Sequence, residues 1–296
     1  MALRRWIFCL LLTGILCGCG SSAAPQTTDT EIQNTGQTAQ SGNADGGQSV
    51  PDKAAGSAQA ENPTQELTDP PIDDEAAGAA DGQNLPLSGL VICLDPGHGV
   101  TNARAQERVS PLSDETKPAY VSGASGRNQT EEQVNLAVAQ LTRTELEALG
   151  AQVVMTRQTN EATVSNIERA QIANRAGADL CIRIHADGAD NASAHGMSMQ
   201  VPAGSLLGTP AIEQPSARAA EHILAAVTQA TGAHSRGLTQ RSDLTGFNWS
   251  EVPCILLEMG FLSNEQEDAL LATQEYRQKI ARGIADGVCR WIDSGR

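Results

Sequence analysis

Four side chains in this sequence have the types and settings needed to attack a polar bond. His98 ends Leu-Asp-Pro-Gly-His, Glu131 opens an amphipathic run, His185 ends Cys-Ile-Arg-Ile-His, and Glu258 ends Cys-Ile-Leu-Leu-Glu. Three of them lie at the ends of short apolar runs that read as strands. In an open α/β sheet, residues beyond the carboxyl ends of parallel strands share one crevice even when they are far apart in sequence. Two imidazoles and a carboxylate meeting there suit zinc, and a catalytic zinc takes three protein ligands while keeping a position for water. His98, Glu131 and His185 fill that role, which leaves Glu258 to move protons. Adding Glu258 to the ligands would close the site and make it structural.

Each residue also has a plainer use. His98 can cap a turn, and His185 can be a satisfied histidine at a strand end. Glu131 can complement the positive end of a helix dipole, and its neighbour Glu132 is a rival ligand. Glu258 is harder to explain this way, because a carboxylate ending an apolar strand is costly to bury without a partner.

The segments 90–98 (LVICLDPGH), 131–136 (EEQVNL), Met155-Thr156-Arg157, 169–174 (RAQIAN), 179–187 (DLCIRIHAD) and 256–264 (LLEMGFLSN) occur in order across the second part of the chain. Together they resemble the zinc-dependent N-acetylmuramoyl-L-alanine amidases that cut peptidoglycan. The resemblance implies Zn2+ as cofactor on His98, Glu131 and His185, and Glu258 as the catalytic acid-base. It favours Glu131 over Glu132, since Glu131 lies four residues before Asn135. The implied reaction is hydrolysis of the amide between N-acetylmuramic acid and L-alanine by zinc-activated water. Arg169 and Asn174 also match family positions, either contacting substrate or holding a helix to the sheet. Asp187 stands where the family usually has Asn and is a further candidate substrate contact, while Asp95 could orient the turn or His98 through a hydrogen bond. Other readings are a catalytically silent peptidoglycan-binding lipoprotein and a zinc peptidase acting elsewhere in the stem peptide. The presence of all four chemical residues favours an enzyme.

These residues need a scaffold, and the pattern supplies one. Strands are expected at 90–94, 152–156, 180–184, 197–201 and 253–257, and helices at 131–149, 166–176, 216–231 and 273–292. The first helix carries a capping-box signature, Thr130-Glu-Glu-Gln133. Alternating strands and helices imply an α/β fold, a twisted, mainly parallel sheet flanked by helices in a single catalytic domain. The 99–130 segment has no clear periodicity and is longer than its counterpart in the shortest family members. Arg104, Arg108 and Arg127 within it either meet substrate carboxylates or face solvent. His195, His222 and His234 have no motif support and are assigned to surface or packing. Cys93, Cys181, Cys254 and Cys289 have no Cys-x-x-Cys pairing. They are read as buried thiols rather than a zinc thiolate site, with disulfides as the alternative in an exported protein.

The first 84 residues read differently. Arg4 and Arg5 precede an apolar run, Trp6 to Leu16, too short to span a bilayer, and Leu16-Cys17-Gly18-Cys19 resembles a lipobox. Residues 1–18 are therefore expected to be a signal peptide, with Cys19 lipidated. Cys17 is the poorer candidate because bulky Leu16 precedes it, and secretion without lipid is the alternative. Residues 19–84 have no aromatic side chain and Lys53 as their only basic one. Such a run reads as a disordered acidic tether, with residues 85–296 as the catalytic domain. The expected location is extracytoplasmic, anchored to a bacterial membrane by the lipid. The net charge of −15 argues against nucleic acid as a partner and comes mostly from the tether.

Overall fold

The computed structural model describes residues 85–99 and 104–295. In chain order these form β1 (Val91–Pro96), β2 (Gln106–Ser110), β3 (Ser113–Pro118), α1 (Glu131–Ala148), β4 (Gln152–Met155), α2 (Asn166–Arg175), β5 (Leu180–Asp187) and β6 (Met197–Pro202). There follow α3 (Glu213–Thr231), β7 (Ser235–Arg241), α4 (Thr245–Asn248), β8 (Cys254–Phe261), α5 (Glu265–Leu271) and α6 (Gln274–Asp293). Six strands make one sheet in the order β4-β1-β5-β8-β6-β7. β4, β1, β5 and β8 are parallel, while β6 runs antiparallel to β8 and carries β7 parallel to itself. The expected mainly parallel sheet flanked by helices is the observed architecture.

Side chains alternate across the strands, and that alternation divides the core. Ile92, Leu94, Ile182, Ile184, Ile255 and Leu257 face the larger apolar layer, shared with Val134 and Val138 of α1, Ile223 and Val227 of α3, and Ile280 and Ile284 of α6. Cys93, Cys181, Cys254 and Leu256 face a smaller layer with Ala173 of α2 and Phe247 of α4. The first three are in register across β1, β5 and β8, and all are free thiols. Small apolar thiols suit a layer this thin.

Five elements escaped the sequence pattern: β2, β3, β7, the four-residue α4 and α5. The 99–130 segment contains the β2-β3 hairpin, a separate two-stranded sheet. β7 is largely exposed and polar. α5 is short, with Asn264 accepting hydrogen bonds from the Gln266 and Glu267 amides at its start. The signal peptide, Cys19 and the tether lie outside the described residues. No described helix is long and apolar enough to cross a membrane.

Candidate metal and catalytic site

β1 has neighbours on both sides, β4 reached through α1 and β5 reached through α2, so the chain reverses its direction of winding there. A crevice opens beyond such strand ends. His98 follows β1 and His185 lies near the end of β5. β1 runs on through Asp95 and Pro96, paired with Arg183 and Ile184 of β5, where the sequence suggested a turn, and after Gly97 His98 has φ +59°, the only positive φ among the described non-glycine residues. A side chain in that region costs energy and persists where surrounding contacts fix it. Two contacts do so. The His98 carbonyl accepts from Arg169 Nη2 at 2.6 Å, and the ring Nδ1 donates to the Val121 carbonyl at 2.8 Å.

Because Nδ1 is committed to a carbonyl, Nε2 of His98 is the atom that faces inward, 3.2 Å from Glu131 Oε1. The same oxygen lies 3.0 Å from His185 Nδ1. Glu131 opens α1 and is fixed there from several directions. Its Oε2 accepts from the Ala124 amide at 2.7 Å, and Oε1 also accepts from Asn135 Nδ2 at 3.2 Å and the Ala186 amide at 3.2 Å. Two glycines permit the approach. A Cβ on Gly97 would lie 2.2 Å from the His185 ring, and one on Gly123 would lie 2.7 Å from Glu131. Glu132 is half-buried and outside this cluster.

Burial drives the His185 pKa down to about 4, so its ring is neutral at pH 7. Burial opposes the charge on His98 too, but the hydrogen bond to Glu131 prevails and raises it. Glu131 is held well below the usual carboxylate range against its own desolvation, by hydrogen bonds from His185 and His98. Three donor atoms thus converge around an ionised carboxylate, one each from His98, Glu131 and His185, all within 4.8 Å of one another. Ligands of a tetrahedral zinc at ~2.0–2.1 Å lie about 3.3 Å apart. The separations of Glu131 Oε1 from the two imidazoles, 3.2 and 3.0 Å, are close to that spacing, and the third pair lies within 4.8 Å. The residues therefore fit the metal that the sequence implied.

Glu258 is the in-register neighbour of His185 on β8. It is 8% exposed, its Oε1 accepts from Gln200 Nε2 at 3.0 Å, and its Oε2 is buried without a partner. Burial first, then the negative charges of Glu131 and Asp187, push its pKa well above the usual carboxylate range. A cavity of about 240 Å³ begins at His98 and His185 and extends past Lys117, Tyr120, Arg183 and Leu256.

The profile of the N-acetylmuramoyl-L-alanine amidase family matches residues 92–290. The chain belongs to that family. It is 28% identical over 212 residues to an N-acetylmuramoyl-L-alanine amidase of Mycobacterium tuberculosis, covering 70% of this chain and 88% of that protein. The amidase AmiA of Escherichia coli is 29% identical over 245 residues, covering 69% and 78%. Among solved structures, the N-acetylmuramyl-L-alanine amidase of Mycobacterium smegmatis superposes with a TM-score of 0.65 at 27% identity, over 70% of this chain and 99% of that one.

Other residues singled out in the sequence occupy different settings. Arg169 is buried, with Nη1 donating to Asp95 Oδ1 and to the Pro96 carbonyl, each at 2.7 Å. Asn174 donates to the Trp249 carbonyl and accepts from the Glu251 amide. Both side chains therefore tie α2 to its surroundings. Asp187 accepts from its neighbour's amide, Gly188, and adds to the field on Glu258. Among the described hydrogen bonds Asp95 makes none to the His98 ring; Arg169 links its carboxylate to the His98 carbonyl. Arg108 bonds within its hairpin, Arg127 pairs with Glu265, and Arg104 is exposed. His195 and His234 are exposed and His222 is half-buried. Sequence reasoning missed Gln200, Val121 and Ala124. The last two act through backbone atoms, which residue type cannot reveal, and only a Gln inside the apolar run Met-Ser-Met-Gln-Val hinted at the first.

Proposed function

We propose that the chain is a zinc-dependent N-acetylmuramoyl-L-alanine amidase that acts on peptidoglycan from a membrane anchor. The observation that carries this reading is one carboxylate oxygen of Glu131 facing both His98 Nε2 and His185 Nδ1, beside a buried Glu258 with one partnerless oxygen. His98, Glu131 and His185 would hold the metal. Zinc, when bound, lowers the pKa of water towards ~7 and polarises a carbonyl.

The chain's own residues account for the rest. Water adds to the carbonyl carbon of the muramoyl lactyl group, and Glu258 accepts the proton it releases. Glu258 then returns that proton to the alanine nitrogen as the C–N bond breaks, because an amide nitrogen leaves poorly as an anion. The products are a lactyl carboxylate and a free L-alanine amine. Help of this kind is worth roughly 10²- to 10⁴-fold. A base with a raised pKa suits it, since the same group must also act as an acid. The cavity beside His98 and His185, walled largely by apolar side chains such as Tyr120 and Leu256 with Lys117 at its edge, offers space for the substrate next to the donors.

Residues 1–18 act as the signal peptide, Cys19 carries the lipid, and residues 19–84 tether the 85–296 domain outside the cytoplasm. The support is the lipobox-like Leu16-Cys17-Gly18-Cys19 and the polar run after it. An unmodified mature N-terminus by mass spectrometry would overturn the anchor.

Digestion of purified peptidoglycan with the full chain tests the reaction. New L-alanine amines matched by free lactyl carboxylates, lost on chelation and restored by zinc, are the expected products. New amines elsewhere in the stem would make the protein a peptidase, and wall binding without new amines would make it a silent binder.

A further inference from the structure

Glu258 has two oxygens in different surroundings, and what separates them is a chain of side chains outside the metal cluster. Gln200 lies on β6, which runs antiparallel to β8 with Ser198 opposite Glu258 and Gln200 opposite Leu256. Residues two apart on a strand share a face, so Gln200 is the diagonal neighbour of Glu258. Its Nε2 donates to Glu258 Oε1 at 3.0 Å. Its own oxygen accepts from Arg241 Nη1 at 2.7 Å. Arg241, at the end of β7, is fixed in turn by Asp243, with Nε to Oδ1 and Nη2 to Oδ2 both at 2.8 Å.

The direction of this relay follows from chemistry. A guanidinium can only donate hydrogen bonds, so the Gln200 amide must turn its oxygen to Arg241 and its NH2 to Glu258. The N–H aimed at Oε1 occupies one of that oxygen's lone pairs and favours its staying the acceptor. A proton taken up by Glu258 is therefore favoured on Oε2, the oxygen that is buried without a partner. Gln200 supplies the hydrogen bond that distinguishes the two oxygens.

We propose that Gln200, oriented by Arg241, is a positioning residue that reserves Glu258 Oε2 for proton transfer. The inference rests on the acid-base role of Glu258 proposed above. Its effect is on turnover rather than on substrate or metal binding, because the relay approaches Glu258 from the β6-β7 side and makes no bond to His98, Glu131 or His185.

The test compares two variants in two backgrounds, using the zinc-loaded full chain and purified peptidoglycan. Gln200→Glu keeps the shape and the acceptor for Arg241 but loses the donor, and Gln200→Met loses both without adding charge. Each should lower kcat about tenfold, the scale of one well-placed hydrogen bond, while KM and zinc per chain remain unchanged. In the Glu258→Gln background neither variant should lower the residual kcat further. Unchanged kcat in both single variants, or the same fold loss with and without Glu258, overturns the positioning role while leaving Glu258 its function. Near-normal turnover by Glu258→Gln overturns the role of Glu258 and this inference together.

Discussion

β1 and β5 support two charged clusters within a few residues of each other, and the clusters differ in how fully their polar atoms are used. In the deeper one, Asp95 is 1% exposed and both oxygens of its carboxylate are engaged. Oδ1 accepts from Thr156 Oγ1 at 2.6 Å and Arg169 Nη1 at 2.7 Å, and Oδ2 from Arg183 Nε at 2.8 Å. In the other, towards the carboxyl ends of β5 and β8, His185 Nε2 and Glu258 Oε2 are buried without partners, and Glu131 Oε1 is flanked by two imidazoles. A saturated buried network specifies structure, whereas an incomplete one costs free energy unless a ligand or reaction completes it. Proximity to the site is therefore a poor guide to chemistry here, because Arg169 and Arg183 border it and are engaged by Asp95.

The largest expected effect divides the clusters outright. His98→Ala, Glu131→Ala and His185→Ala should each lose zinc and amidase activity together, since two ligands leave an exchangeable site. Metal analysis alongside turnover checks this, and a Glu131→Ala protein that keeps its zinc while Glu132→Ala loses it would assign the ligand to Glu132.

Next in size is Asp95→Ala, which strands two buried guanidinium groups and should cost about 3–5 kcal/mol of stability in denaturant melts. The same group sets an acid limit. Asp95 is held well below the usual carboxylate range, chiefly by Arg169 and Arg183 acting against its desolvation. Its contribution is therefore fully present above the unfolded pKa of about 3.9 and is lost as pH falls below that value towards the folded one. Stability of the wild type should decline below about pH 4, and the decline should be shallower in Asp95→Asn.

Glu258→Gln comes third, with turnover falling by at least about 10²-fold while zinc and fold are retained. Stability should not drop, because the substitution removes a buried ionisable group. Loss of zinc by this variant would make Glu258 a ligand instead. The smallest effect is expected at Arg127→Ala, whose exposed pair with Glu265 should contribute about 0–1 kcal/mol.

The same contrast explains what the sequence made legible. Apolar runs ending in Asp95, His185 and Glu258 revealed the parallel strands, because strands buried on both faces leave continuous apolar stretches. The β2-β3 hairpin and β7 have polar, largely exposed sides, so their periodicity carried no apolar signal. At the site, residue type exposed the donors His98, Glu131 and His185. It could not expose Gln200 or the Val121 carbonyl, whose roles arise only when β6 and the hairpin segment are folded against the strand ends. Arg169 and Asn174 share motifs with the donors, yet their hydrogen bonds run to backbone groups and to Asp95. A motif groups residues by neighbourhood, and saturation sorts them by use.

The central claim is that the incomplete cluster is a zinc site with Glu258 left outside it. Diffraction data collected at the zinc edge from crystals of the zinc-loaded protein test it most directly. The expected result is one strong anomalous peak bonded to His98, Glu131 and His185, with Glu258 nearby but beyond bonding distance. A peak held by other residues, or one with Glu258 among its ligands, would contradict the account.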